Sequence, residues 1–385
     1  MRSFPMLLWR MAALACVCAL LGGYALPESP DAREKAVSPA AQTDRRSGNR
    51  ETSNAGFFGS ATPAAQPDRH AGRPADTADR HALRMHLYER IGLATGMPWY
   101  MIAAVDQYER TLSRARPDAR PVDQDALSGV YIPPKQWAGP TNPDENDTHP
   151  VSIRFFGGIG RDFSGDGRAD RDSDDDKLYS VARLIAKYGT SSDDFAIGLW
   201  EYYHHTRAVQ RVQQFAKIYA TFERLDLDEH VFPLPPGTRY SYRSTWGTRR
   251  SWGGVRIHEG TDIFAPYGTP VRSTCYGIVE IKGWNKYGGW RIGIRDLDNL
   301  YHYYAHLSGY DKNLKPGDIV RPGQVIGWVG NSGYGKPGTQ GKFPPHLHYG
   351  IYRDRGWVEW AFDPYPLLKK WEKEEKKALR SRKRS

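Results

Sequence analysis

The chain has 385 residues, with 54 Lys and Arg against 44 Asp and Glu, and three Cys. That length predicts two or three domains rather than one. The composition is hydrophilic yet rich in Trp and Tyr, so a packed core requires some segments to stay outside it. The positive balance is largely local, since residues 367–385 hold nine Lys and Arg against three Glu.

Residues 1–25 place Arg2 and Arg10 ahead of an apolar run from Met11 to Leu21, followed by Gly23-Tyr24-Ala25. A basic start, a short apolar core and small residues form the pattern of an export signal, with a mature start at Leu26. The run is shorter than the ~20 residues of a membrane span, but Phe4 to Leu8 extend it, and an uncleaved membrane anchor is the alternative. Ala13-Leu14-Ala15-Cys16 is a poor lipidation box. Removal of the segment takes Cys16 and Cys18 with it and leaves Cys275 without a disulfide partner; its strand pattern reads as a buried, small apolar position.

Residues 26–80 are rich in Pro, Ala, Ser, Asp, Arg and Gly with almost no apolar periodicity. Such a segment cannot bury enough surface to offset chain entropy and reads as a disordered tether. Residues 81–225 read as a mainly helical domain, with a Pro-rich loop near 131–150. HALRMHLYERIGLATG stops at Gly96, MPWYMIAAVDQYERTL follows, and DDDKLYSVARLIAKYG opens with acids suited to a helix N-terminus. Asp162, Ser164, Asp166 and Asp170 stand at positions 1, 3, 5 and 9 of a loop with Gly167 at position 6, the calcium-loop spacing, although Ser173 replaces the acid at position 12. Calcium in the helical domain is one expectation; a solvated acidic turn capping the helix near Asp176 is the other. Residues 226–366 turn to short β runs such as GIVEIKG, WRIGIRD and LYHYYAHL between Gly, Asn and Asp turns, with Asp298-Asn299 as a hairpin tip. Residues 367–385 read as a solvated basic helix that touches anionic lipid or wall polymer, or simply aids solubility.

The chemistry gathers in the β segment. His258-Glu259-Gly260-Thr261-Asp262 opens it, Tyr304-Ala305-His306-Leu307 lies inside it, and His346-Leu347-His348 closes it. Such a set supplies two imidazoles and a carboxylate to a metal and leaves two imidazoles for proton transfer. Hydrolytic zinc sites use three protein ligands and keep the fourth position open. In a strand His346 and His348 point to one face, and His302 alternates onto the face of His306, where it reads as structural. The helical HExxH motif is absent.

HEGTD, GTPVRST, YAHLS, PGDIVRPGQVIGWVGNSGYG and HLHYGIY, in that order over about residues 232–366, resemble peptidase family M23, zinc metallopeptidases that cut peptides in bacterial cell walls. The resemblance implies one zinc on His258, Asp262 and His348, with His306 and His346 as the catalytic pair, and peptidoglycan as the partner. A closer resemblance, over about residues 85–366, is to the sporulation members of that family; it implies cutting between L-Ala and D-Glu of the stem peptide in cell wall or spore cortex. Residues 102–110 resemble the helix of lytic transglycosylases that ends in the catalytic glutamate, placing Glu109 there, but Arg110 stands where those enzymes have Ser or Thr. The expected fold is therefore multidomain α + β: a helical, lysozyme- or transglycosylase-like domain followed by an antiparallel β-rich M23 domain. An exported protein is expected, secreted or held at the membrane by its N-terminal segment, with no nucleic-acid partner. A bifunctional hydrolase with added glycan cleavage, a non-catalytic wall-binding scaffold, and an enzyme cutting the glycine bridges of foreign walls are the alternatives.

Overall fold

The structure, a computed structural model, describes residues 74–123, 125–250, 256–356 and 358–382. The expected export segment and most of the expected tether lie outside them. Among the described residues no helix is long and apolar enough to cross a membrane.

The helical part comprises α1 (Pro74–Thr95), α2 (Trp99–Ala115), α3 (Pro134–Ala138), α4 (Pro150–Phe155), α5 (Asp174–Ile185), α6 (Ser192–Tyr203) and α7 (Thr206–Phe222). α1 starts ahead of residue 81, inside the expected tether: Pro74 sits at the first helical position, where its missing N–H costs nothing. Met101 to Val105, Tyr108 and Leu112 of α2 are buried, as are Asp106 and Glu109, so α2 is the central helix and its polar groups need partners within the fold. α5 is capped by Ser173, whose hydroxyl accepts from the Asp176 N–H at 3.4 Å, with three acids in its first turn.

The β part contains β1 (Ser241–Tyr242), β2 (Arg249–Arg250), β3 (Arg256–Ile257), β4 (Thr261–Phe264), β5 (Pro270–Arg272), β6 (Gly277–Asn285), β7 (Gly289–Arg295), β8 (Leu300–Tyr310), β9 (Ile319–Val320), β10 (Val325–Val329), β11 (His346–Asp354) and β12 (Glu359–Phe362). One antiparallel sheet runs β1-β4-β11-β8-β7-β6-β9, with β12 beside β11 and β10 joining β5 to β8. Its core is Ile263, Ile292, Ile294, Leu307, Leu347 and Ile351 with their neighbours. Asp298-Asn299 forms the β7–β8 turn, Asn299 taking a φ of 60° that Asn tolerates.

The last helix, α8 (Tyr365–Arg382), is not the free solvated tail expected from its charge. Leu368 and Trp371 are buried in the β core, Glu375 accepts from Arg272 at 3.0 Å, and Glu372 accepts from the hydroxyls of Tyr240 and Tyr242 at 2.7 and 2.6 Å. Apolar residues three apart form a docking stripe that the Lys and Arg count conceals.

Helical and β parts meet through a buried ionic cluster. Arg211 of α7 pairs with Glu280 of β6, with Asp354 of β11 at 3.3 Å and with Glu359 of β12 at 3.2 Å; Arg295 of β7 pairs with the same two glutamates. Arg207 also reaches Asp354 at 4.0 Å, and of the guanidiniums Arg211 alone touches all three carboxylates among the described residues. Arg211→Leu is therefore expected to destabilise the protein by about 3–5 kcal/mol, because buried carboxylates lose their partner. Urea unfolding of the variant beside the natural protein measures this, and a change below about 1 kcal/mol contradicts it.

Candidate active site

Strand register assembles the site. β11 lies between β4 and β8, with His348 opposite Asp262 on one side and Ala305 on the other. His258 enters from the segment before β4. Its N–H donates to the Thr248 carbonyl at 3.0 Å, and its ring Nδ1 lies 3.0 Å from the Thr245 carbonyl. A carbonyl oxygen only accepts, so Nδ1 carries the proton and the Nε2 lone pair faces inward. Nε2 lies 3.1 Å from Asp262 Oδ1 and 3.0 Å from His348 Nδ1, and the latter two are 3.0 Å apart.

A near-equilateral triangle of acceptors is a poor hydrogen-bonding arrangement and a good cation cradle. Two ligand atoms on a tetrahedral zinc lie about 3.3–3.5 Å apart, from bond lengths of about 2.0–2.2 Å, so the three groups fit such an ion with small adjustment. The other oxygen of Asp262, Oδ2, pairs with Arg250 of β2. That fixes the carboxylate to offer one oxygen. Burial pushes the Asp262 carboxyl up, but the His258 and His348 rings beside it outweigh that and hold it far below the usual range. Burial lowers His348 to about 4, against the pull of Asp262. Gly260 runs beneath the ring: a Cβ there would lie 2.6 Å from His348 Cε1.

His306 and His346 stand beside this triangle, their ring centroids 4.8 Å apart and His306 5.9 Å from His348. His346 Nδ1 is 2.9 Å from the Pro344 carbonyl and His306 Nδ1 is 2.8 Å from the Ser332 carbonyl. Each ring therefore keeps its proton on Nδ1 and offers Nε2 as a base. The His346 Nε2 is buried without a hydrogen-bond partner, 3.8 Å from Asp262 Oδ1. Burial lowers the pKa of both rings, that of His306 well below the ordinary value, so both are neutral at neutral pH.

His306 does not arrive by strand alternation. Ala305 pairs directly with His348, so alternation would send His306 to the opposite face with His302 and Tyr304. A left-handed backbone, φ 61°, returns it to the His348 face, where Tyr334 and Phe343 flank its ring. His302 stays on the far face, bonded through Nε2 to Asp296 at 2.8 Å, and does not share the face of His306 as simple counting suggests.

The other sequence candidates lie elsewhere. Glu109 is fully buried and ion-paired with Arg120; burial raises its pKa against that pairing. Arg110, the neighbour in sequence, pairs with Asp106 at 3.0 Å instead. Glu109 is thus a packed ion-pair partner and not an acid facing a cleft. Asp162, Ser164, Asp166 and Asp170 form a turn whose carboxylates are taken by backbone: Asp162 accepts from Gly165 and Gly167 N–H at 2.7 and 2.9 Å, Asp166 from Arg168 at 2.8 Å, Asp170 from Asp172 at 2.9 Å. Buried Asp176 anchors the turn, accepting from Phe163, Ser164 and Asp170 N–H. Among the described residues these acids do not gather around a common point. The calcium expectation gains no support, and the loop is a self-bonded turn at the start of α5. Sequence reasoning missed Arg250 and the three carbonyls that set the histidine tautomers; backbone acceptors leave no signal in residue identity.

The model of peptidase family M23 matches residues 256–360. Over 292 residues the chain is 56% identical to an L-Ala–D-Glu endopeptidase of Bacillus subtilis, covering 76% of this chain and 89% of that one. It is 35% identical over 112 residues to a peptidoglycan DD-endopeptidase, ShyC, of Vibrio cholerae, 28% of this chain and 24% of that one. The solved structure of the antimicrobial peptidase lysostaphin from Staphylococcus simulans aligns at 33% identity with a TM-score of 0.30, covering 37% of this chain and 55% of the other.

Gly260→Ala forces the new methyl into the His348 ring. The variant is expected to fold and to bind a divalent metal at least about tenfold more weakly, the scale of a lost ligand-orienting contact. Competition with a chromogenic chelator reads the affinity; an unchanged value refutes the cradle.

Proposed function

This chain belongs to peptidase family M23 and is a peptidoglycan metalloendopeptidase, and on that premise we propose that it uses one zinc ion to hydrolyse the L-Ala–D-Glu bond of the stem peptide. The observation that carries the bond assignment is the identity to the B. subtilis L-Ala–D-Glu endopeptidase, which extends through the helical part as well as the β part. Its setting is the wall or spore cortex, reached by export through the N-terminal segment, which also serves as a membrane tether if uncleaved. The helical part takes a lysozyme-like arrangement without a glycan-cleaving acid, since Glu109 is spent on Arg120.

His258, Asp262 and His348 are the zinc ligands in this reading. When bound, the ion supplies Lewis-acid polarisation of the scissile carbonyl and of the attacking water. The proton traffic belongs to the chain. His346 Nε2, neutral and unpartnered, takes the proton of the attacking water. That proton passes to His306 Nε2, a free base at rest, which delivers it to the departing amine and, while protonated, faces the charge that grows on the carbonyl oxygen. The Pro344 and Ser332 carbonyls hold both rings in the tautomer this needs. Arg250 keeps Asp262 directed.

His348→Ala is expected to lose active-site metal and activity together. His306→Ala is expected to keep metal and lose about 10²–10⁴-fold in turnover on purified muropeptides; full activity there refutes the role given to His306. Mass spectrometry of digested peptidoglycan should find single L-Ala left on muramic acid. Release of fragments only at cross-links or glycine bridges overturns the bond assignment, and anhydro-muramyl ends lost in Glu109→Gln would overturn the reading of the helical part.

A further inference from the structure

A second set of ligand-type side chains lies on the opposite face of the sheet. His230 follows α7, Asp296 sits in the β7–β8 turn and His302 is on β8. One donor atom from each lies within 4.8 Å of the others. We propose that these three residues form a second divalent-cation site of the zinc class, structural in role, that ties the chain leaving the helical part to the sheet.

The acceptors gathered there are unmatched. Asp296 is buried, and among the described residues its ion-pair partners are the two imidazoles alone. One of its oxygens accepts from the Leu300 N–H at 2.8 Å. The other, Oδ2, faces His302 Nε2 at 2.8 Å and His230 Nε2 at 3.6 Å. His230 Nδ1 lies 2.8 Å from the Asp228 carbonyl and so carries that ring's proton. Its Nε2 is then a buried lone pair pointing at a carboxylate oxygen beyond hydrogen-bond reach, without a partner. This is the electronic arrangement of His258 at the active site, where Thr245 plays the part of Asp228. His302 can release Nε2 as well, because its Nδ1 meets the Tyr349 hydroxyl at 2.7 Å, a group able to accept as well as donate. Two nitrogens and an oxygen form a zinc-type donor set.

The surroundings suit a held ion. Trp371 of α8 stacks on the His230 ring at 5.0 Å and 7° and fixes its direction. A cavity of about 180 Å³ touches His230, Asp296 and Cys275, leaving room for a water as fourth ligand. Of the guanidiniums lining it, Arg110 is paired with Asp106 and Arg114 with Asp298, while Arg84 is turned to the Leu127 carbonyl. The competing arrangement is a metal-free one, with a protonated His230 against Asp296.

The test uses the full chain, stripped with a chelator and titrated with Zn²⁺, with bound metal counted by elemental analysis after gel filtration. The expected result is two equivalents for the natural protein, one for His348→Ala, one for His230→Gln and none for the double variant. The His348→Ala protein should also gain thermal stability on adding Zn²⁺, and the His230→Gln change should abolish that gain. One equivalent in the natural protein with none in His348→Ala overturns the second site; so does an equivalent that persists in the double variant. One equivalent in both the natural protein and His348→Ala, lost in His230→Gln, supports this site and instead overturns the active-site assignment. Should His230→Gln fail to fold, the count in His348→Ala decides.

Discussion

The structure depends on placing electron-rich groups closer together than they would remain in water. At the active site two imidazole nitrogens and a carboxylate oxygen form a triangle with sides of 3.0–3.1 Å in a largely buried setting. Without a cation, those lone pairs repel in a medium that screens them weakly. What imposes the arrangement is the pairing of β4, β11 and β8, which sets His348 beside Asp262. A slip of one residue in β11 would turn both of its histidines to the other face. The aliphatic core beneath the sheet, Ile263, Ile292, Leu347 and Ile351 among others, locks that register because the same slip would expose it.

Much of this was legible in the chain. His346 and His348 at a spacing of two identify one face of a strand, and a carboxylate four residues from His258 completes a ligand set. Register was not legible, since it comes from turn lengths and core complementarity spread over a hundred residues. Neither was the geometry of His306. Counting along β8 groups it with His302, and only a left-handed backbone parts them. A non-glycine residue in that region costs roughly 1 kcal/mol or more, which the surrounding bonds offset: the His306 N–H donates to Gly288 and its ring to Ser332. Arg250 carried no motif and was invisible.

The helical part shows the reverse problem, in which strong local patterns point to chemistry that the packing does not supply. The residues around Glu109 resemble a catalytic helix, yet Glu109 lies on the buried side of that helix and is matched by Arg120 from a loop. The acidic loop has calcium-like spacing, yet Asp176 organises it through three backbone N–H groups. In each, residue identity constrained the chemistry less than the question of which partner the fold brings near. In α8 the net charge points to solvent, while the spacing of Leu368 and Trp371 describes the docked face.

The two sides of the sheet then use one device toward different ends. In both, a backbone carbonyl takes the Nδ1–H of a histidine and leaves Nε2 aimed at a buried carboxylate, His258 through Thr245 and His230 through Asp228. What differs is the covering. Around the first set stand two further neutral histidines with Tyr334 and Phe343 flanking His306, so bases lie where a peptide can be attacked. Over the second lie Trp371 and the helices, and the hydroxyls of Tyr349 and Thr274 around His302 supply hydrogen bonds but no base. A cation held there can brace but has nothing beside it to move protons. The Arg211 cluster performs the same bracing with fixed charges. The groups able to move protons thus gather on one face of the sheet, and the fixed contacts lie on the other.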